Sequence, residues 1–120
     1  MRVLGIDPGS QITGLGVIEK NGSGIKHIDN ICFRTKKNSP FASRLHEIYI
    51  FLKNSMLDFK PDSVAVESVF MGKNAMSALK LGEARGLAFV AAVEAGIPVF
   101  EYSTREVKQA VTGYGQADKG

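Results

Sequence analysis

The sequence predicts an α/β fold in which three antiparallel strands and two later strands form one mixed sheet with helices packed on it. Two short apolar runs, at residues 3–6 and 63–66, each stop at an acid. The second run does not alternate with polar residues, which favours a strand covered on both faces and paired in parallel. Apolar residues at helical spacing follow the third strand and precede the fifth. The predicted order is therefore β-β-β-α-β-α-β-α.

The first strand runs directly into Asp7-Pro8-Gly9. Pro8 presets φ for the second position of a turn, and Gly9 accepts the positive φ that a type II turn needs at its third position. Asp7 then lies at the carboxyl end of the strand, where α/β sheets collect ligands. Two interpretations stay open on this stretch alone: Asp7 belongs to a metal or phosphate site, or it caps its own turn.

The next two strands are predicted at residues 12–18 and 25–34, joined by a polar, glycine-containing hairpin turn at residues 19–24. Together with the first strand they form an antiparallel set. Cys32, in the third strand, is expected to be packed rather than reactive. The residues expected to be buried in that strand are Ile28, Ile31 and Phe33.

The first helix is predicted to begin with Ser39 as N-cap and Pro40 at the first helical position, and to end at Lys60-Pro61. One face repeats apolar residues at steps of three and four. These residues are Phe41, Leu45, Ile48, Tyr49, Leu52 and Met56.

A long second helix is predicted over residues 73–95, closed by Gly96-Ile97-Pro98. Gly82 and Gly86 lie four residues apart, so one face allows close approach of another backbone. A short strand at residues 99–102 follows. A capping-box sequence at Ser103 then opens a third helix that runs to about Val111.

Length, composition and charge limit the number of domains and the kinds of partner that the protein can have. A length of 120 residues suits one domain, and 44% apolar residues are enough for a core. The net charge of +3 and the pI of about 9.1 permit nucleic acid as a partner without requiring it. A single cysteine fits a reducing, cytoplasmic compartment. Neither a signal-peptide core nor a membrane span is expected.

Asp7 and Glu67 close the two apolar runs in matching positions. A βαβ arrangement with these strands adjacent places both carboxylates at the same edge of the sheet. Such hard oxygen ligands suit Mg²⁺, or alternatively Mn²⁺, and two ions about 3.5–4 Å apart activate water and stabilise the leaving oxygen of a phosphodiester. The alternative is that each acid caps its neighbouring turn, but the matched pair favours a metal site.

The loop after Glu67 carries two large apolar residues beside the proposed site. Met71 is expected to pack against the following helix. Phe70 is the candidate for exposure, and a loop aromatic there can stack on an unpaired base, with about 1–3 kcal/mol at stake.

Three long blocks of the chain, at residues 5–10, 66–86 and 98–120, resemble the bacterial RuvC-type Holliday junction resolvases: GIDPGS, VESVFMGKNAMSALKLGEARG and PVFEYSTREVKQAVTGYGQADKG. The resemblance covers essentially the whole chain in order. It implies a single ribonuclease H-like domain over residues 1–120, with a mixed five-stranded sheet and helices on both faces. It also implies a homodimer, Mg²⁺-dependent symmetric nicking of four-way DNA junctions in recombination and repair, and a branch-migration motor complex as partner.

The resemblance also implies roles for individual residues. Asp7 and Glu67 match the first two metal-binding catalytic acids, and Phe70 matches the aromatic that stacks at the junction centre. Lys108 and Lys119 match basic residues that contact DNA near the cut.

Two other basic residues, Lys73 and Arg85, are weaker candidates for contact with the DNA backbone. Glu83 and Glu101 are interpreted as salt-bridging residues rather than as further catalytic acids.

The sequence departs from the family pattern at its end. The family carries two more metal-site residues, an acid followed three residues later by an acid or a histidine, on a C-terminal helix. The sequence ends at Gly120, where that helix should be starting, and Asp118 is not in the matching context. A shortened or defective nuclease is therefore expected, one that binds metal poorly and cuts slowly or not at all.

Two other functions remain to be separated from the nuclease. A non-catalytic module that binds DNA junctions would use Phe70 and the lysines without cutting. An ATP-dependent protein of the actin-like class has a similar phosphate loop, but it needs two such domains. A dinucleotide fold is excluded because Gly14 and Gly16 lie inside a strand rather than at a strand-to-helix turn.

Overall fold

The computed structural model describes residues 1–9, 12–36, 38–68 and 75–102, with side chains of the second helix given from Gly82 onward. These residues form five strands and two helices in the predicted order. The elements are β1 Arg2–Asp7, β2 Ile12–Asn21, β3 Gly24–Arg34, α1 Phe41–Phe59, β4 Ser63–Glu67, α2 Ala75–Glu94 and β5 Val99–Tyr102.

The five strands form one mixed sheet in the order β3-β2-β1-β4-β5. β2 pairs antiparallel with both β1 and β3, whereas β4 pairs in parallel with β1 and with β5. Both the antiparallel set and the parallel pairing of the two acid-ended strands are therefore confirmed. All strands except β2 end at the same edge of the sheet, and that edge contains Asp7 and Glu67.

One face of the sheet carries the core. Alternation along the strands sends every second side chain to that face, and the packed residues of neighbouring strands are in register. α1 adds the predicted apolar face, and α2 adds a row of alanines that allows it to approach closely. The buried apolar residues are Leu4, Ile6, Leu15, Val17, Ile48, Leu52, Met56, Val64, Val66, Ala84, Ala88, Ala91 and Ala92.

Both described helices pack on this core face and contact each other. The opposite face, which we call the open face, carries Val3, Gly5, Asp7, Ala65 and Glu67 on the two central strands. The predicted third helix lies outside the described residues, and a second helical layer remains a prediction. No helix in the described ranges has the length and apolar character needed to cross a membrane.

The start of α1 differs from the prediction. Pro40 occupies the N-cap position without a side-chain capping bond, and the Ser39 hydroxyl donates to the Lys36 carbonyl instead. The end is close to the prediction, because Lys60 adopts a left-handed φ of 48° and donates its N–H to the Met56 carbonyl. Pro61 follows at once, so the helix cannot continue.

β3 is an edge strand, and two predictions made for it are wrong. Cys32 is exposed because Ile31 and Phe33, its neighbours, point to the core. Ile28 is 38% exposed because the register between β2 and β3 shifts beside it, which leaves Ile28 without a cross-strand partner.

Candidate metal and DNA site

Asp7 and Glu67 lie side by side at the ends of β1 and β4. The parallel register joins Val3 to Ser63 and continues to Ile6 and Val66, so the next position pairs the two acids. Both side chains project on the open face, because Ile6 and Val66 point to the core. The carboxyl groups are close enough to share a hydrogen bond. The prediction that Asp7 and Glu67 lie close together at one edge of the sheet is confirmed.

The pair changes the acidity of Asp7. Partial desolvation at the strand end, followed by the hydrogen bond and the negative charge of Glu67, raises the pKa of Asp7 from 3.8 to about 6. Two adjacent carboxylates resist joint ionisation unless a cation or a proton lies between them. The arrangement therefore favours a proton between the two carboxyl groups at low pH, and a bound cation at pH values above the pKa of Asp7.

The turn after Asp7 is held by contacts to β2. The buried Thr13 hydroxyl donates to the Gly9 carbonyl at 3.0 Å. A Cβ on Gly9 would meet the Ile12 carbonyl oxygen at 2.2 Å, so only glycine fits. The predicted reason for glycine was wrong: positive φ among described glycines occurs at Gly22 and Gly96, not at Gly9.

Thr13 is a residue that the sequence argument missed. It lies in β2 and is fully buried, and its hydroxyl fixes the backbone two residues after Asp7. The available signal was a threonine in an apolar strand four residues after the glycine of a Pro-Gly turn.

The Glu67 side of the site is held by β5. The Ser68 N–H donates to the Tyr102 carbonyl at 2.6 Å, and Tyr102 is in register with Glu67. The backbone that leaves Glu67 is therefore pinned to the neighbouring strand.

The donor set fits a hard divalent ion. Two carboxylates on adjacent strands are the oxygen ligands that Mg²⁺ and Mn²⁺ prefer. Within the described ranges no third histidine, cysteine, aspartate or glutamate joins them to make a group of three. The pair alone supplies fewer oxygen ligands than such an ion takes, so the further ligands of an ion held here would come from residues outside those ranges.

Arg85 has a partner inside the chain. Its guanidinium forms an ion pair with Glu101 on β5 and lies 4.8 Å from the centre of the Phe89 ring. The predicted salt bridge of Glu101 is confirmed, whereas exposed Glu83 forms none with a described residue. These contacts tie α2 to β5 on the core face, away from the two acids, and they compete with the predicted contact of Arg85 with DNA.

Four predicted DNA-contacting residues lie outside the described residues: Phe70, Lys73, Lys108 and Lys119. Their roles remain predictions.

A groove of about 540 Å³ lies between β3 and α1. Its lining includes Ile31 and Phe33 of the strand and Ile50 and Phe51 of the helix. Because Ile31 and Phe33 point to the core face, the groove lies on the opposite side of the sheet from the two acids. It is not part of the candidate site.

The strand order, the mixed pairing and the acids at neighbouring strand ends define a ribonuclease H-like fold with a carboxylate pair. The family described as "Crossover junction endodeoxyribonuclease RuvC" matches residues 3–120. A relative of that name from Geobacter sulfurreducens is 57% identical over 119 residues, covering 99% of this chain and 73% of the relative. One from Geobacter metallireducens is 56% identical with the same coverage. The chain belongs to the RuvC family of crossover junction endodeoxyribonucleases.

Solved structures agree with this assignment. The chain is similar to a structure described as "T. thermophilus RuvC in complex with Holliday junction substrate", with a TM-score of 0.81 and 35% identity, covering 92% of this chain and 69% of that one. The yeast mitochondrial Holliday junction resolvase Ydc2, at 15% identity and a TM-score of 0.61, shares the fold.

Proposed function

We propose that this chain is the catalytic domain of a divalent-metal-dependent endonuclease that resolves four-way DNA junctions by symmetric nicking. The observation that carries the proposal is the register-matched pair of Asp7 and Glu67 on the open face. Family membership and the similarity to a structure with a Holliday junction support the substrate class.

The two acids serve as ligands in this mechanism. Bound Mg²⁺ or Mn²⁺ would supply an activated water and stabilise the leaving oxygen of the phosphodiester. Asp7 must release its proton to act as a ligand, so activity rises with pH through about 6. The pinned backbones after Asp7 and Glu67 keep both carboxylates in one orientation.

The remaining DNA contacts follow from the family resemblance. Phe70 stacks on an unpaired base at the junction centre, and Lys108 and Lys119 contact DNA near the cut. Lys73 is a weaker candidate, for contact with the DNA backbone. A branch-migration motor complex is the proposed protein partner, and the cytoplasm is the proposed compartment.

A homodimer suits a substrate with an approximate two-fold axis. We propose that the two copies meet along an exposed stripe of α2 that contains Gly82, Gly86, Val90 and Val93. A Cβ at either glycine would have no atom of the described chain within 4 Å, and the valines are 50% and 70% exposed. These residues recur at helical spacing, so they share one side of the helix.

The activity of the 120 residues alone is a separate part of the proposal. Two carboxylates hold a hard cation more weakly than four ligands, and the Geobacter relative extends beyond the 73% that this chain covers. We expect weak metal binding and slow or absent cutting from these residues by themselves. Rapid Mg²⁺-dependent junction cleavage would contradict this expectation.

Asp7→Asn separates the nuclease from a non-catalytic junction-binding module. In a chain extended to the full length of the Geobacter relative, single-turnover cleavage of a labelled four-way junction in Mg²⁺ should fall to background in this variant, because the ligand charge is lost. Gel-shift affinity for the junction in EDTA should stay within about twofold of the wild type, since the substitution is isosteric. Unchanged cutting by Asp7→Asn would refute the proposed role of the acids.

A further inference from the structure

We infer that Arg34 binds a phosphate of the DNA strand that is cut, and so positions this strand across the open face toward Asp7 and Glu67. The inference rests on the proposed function and adds a residue to the same site. Its basis is the position of Arg34, which forms no ion pair with a described residue, on the face that carries the acids.

The register fixes the face on which Arg34 lies. Asp7 pairs with Gly14 on β2, and Gly14 pairs with Cys32 on β3. Arg34 follows Cys32 by two residues, so it projects on the same face. Its neighbour Phe33 packs against the core, which confirms the alternation.

The guanidinium of Arg34 forms no ion pair with any described residue. Arg34 is exposed, and the ion pairs among described residues are formed by Met1, Arg2 and Arg85 instead. Arg85 is neutralised by Glu101 on the core face, whereas Arg34 lies on the open face at the edge where the parallel strands end. A guanidinium in this position offers a planar fork of N–H donors that matches a phosphate.

On β2, the position next to Asp7 on this face is Gly14, which carries no side chain. The position next to Arg34 is Ile12, whose side chain is 42% exposed and lies beside Arg34. Two strand spacings of about 4.8 Å separate β3 from β1, and Arg34 lies two residues, about 7 Å, beyond Cys32 along β3. The Cα of Arg34 is therefore about 12 Å from that of Asp7, which is between three and four nucleotide rises of about 3.4 Å along one strand. Arg34 would contact a phosphate within about four nucleotides of the one held at Asp7 and Glu67.

Salt dependence of junction binding tests this inference, because one lost phosphate contact lowers the slope of log K against log salt by about 0.9. Arg34→Gln is compared with Arg34→Lys, which keeps the charge, and with Lys20→Gln. Lys20 is exposed and shares the open face, but it lies six residues from Gly14 along β2, about 20 Å away. Affinity is measured by anisotropy with a labelled four-way junction in EDTA from about 50 to 200 mM salt.

Arg34→Gln should weaken binding about threefold to tenfold at ~100 mM salt and lower the slope by about 0.9 for each Arg34 that contacts DNA. Arg34→Lys and Lys20→Gln should keep the wild-type slope. Equal slopes for Arg34→Gln and Lys20→Gln would overturn the inference, because net charge alone would then explain the effect.

A second measurement uses neutral methylphosphonate linkages placed one at a time within about four nucleotides of the cut. One such linkage should weaken wild-type binding but have no further effect on Arg34→Gln. Equal sensitivity of both proteins at every position would also overturn the inference. The proposed function is tested separately, by the Asp7→Asn cleavage experiment: cutting that does not depend on Asp7 would refute that function without bearing on Arg34.

Discussion

At the scale of single residues, Asp7 is the group whose chemistry depends most on the fold. Partial desolvation at the strand end, followed by the hydrogen bond and the charge of the acid across the parallel register, raises the pKa of Asp7 to about 6. In the unfolded chain the two residues are sixty positions apart and the pKa returns to its ordinary value. The raised pKa stabilises the metal-free fold below pH 3.8, and this contribution is lost as the pH rises through about 6.

Asp7→Asn should therefore make the metal-free protein more stable than the wild type above about pH 6 and leave it equal near pH 4. The asparagine removes the repulsion with Glu67 and keeps the shape of the side chain. Thermal melts followed by circular dichroism in EDTA at both pH values measure the difference. Asp58→Asn, which removes an exposed acid on α1, is the control for the change in net charge. A variant less stable than the wild type above pH 6 would contradict the electrostatic account.

Single residues also show where sequence reasoning stops. The meeting of Asp7 and Glu67 was predictable because both close apolar runs that pair in parallel. The need for glycine at position 9 was recognised, but its cause was a carbonyl oxygen of Ile12 rather than positive φ. That contact depends on how the turn folds back onto β2, which local sequence does not specify.

At the scale of elements, α2 presents two different sides. Ala84, Ala88, Ala91 and Ala92 are buried, and their small size lets the helix approach α1 and the sheet. Larger side chains on this side would separate the elements. On the other side, the exposed Val90 and Val93 and the glycines at positions 82 and 86 define the proposed dimer stripe.

Ala88→Leu should lower the free energy of unfolding by about 1–3 kcal/mol, because three added carbon atoms must fit where Ala88 is fully buried. Ala42→Leu in the first turn of α1 is the matched control and should stay within about 0.5 kcal/mol, since Ala42 is exposed. Urea denaturation measures both variants. Equal stabilities would mean that the alanine side of α2 does not pack on the core.

Element boundaries were predictable to different degrees. β4 and β5 match their predicted ranges because charged residues or prolines flank them. β2 continues to Asn21, beyond the predicted end at Ile18, because its pairing with β1 runs to Glu19 and its pairing with β3 runs to Asn21. The burial of β3 was overestimated, since an edge strand with a register shift covers fewer of its apolar residues than a central strand does.

At the scale of the whole molecule, the described residues give the sheet two different faces: the core face, on which the helices pack, and the open face. The open face carries the acid pair and Arg34, while the two described helices pack on the opposite face of the sheet. The fold and the meeting of Asp7 and Glu67 were predictable from the sequence, whereas the further ligands of the proposed metal site would lie outside the described ranges. A second copy of the chain would place two such sites on one junction.

Val93→Asp should shift the protein toward monomer in sedimentation at micromolar concentration, because a charge would be buried at the proposed stripe. Leu57→Asp on α1 is the control, since Leu57 is 61% exposed and lies outside the stripe. The control should sediment as the wild type does. A wild type that is monomeric at this concentration would argue against the dimer for these 120 residues.

The central claim is that Asp7 and Glu67 together bind a divalent ion, and calorimetric titration with Mn²⁺ tests it most directly. At about pH 7.5, where Asp7 is ionised, the wild type should bind weakly but measurably, and Asp7→Asn and Glu67→Gln should each bind more than about tenfold more weakly. Wild-type binding should also weaken as the pH falls through about 6. Equal Mn²⁺ affinity in the wild type and both variants would contradict the account.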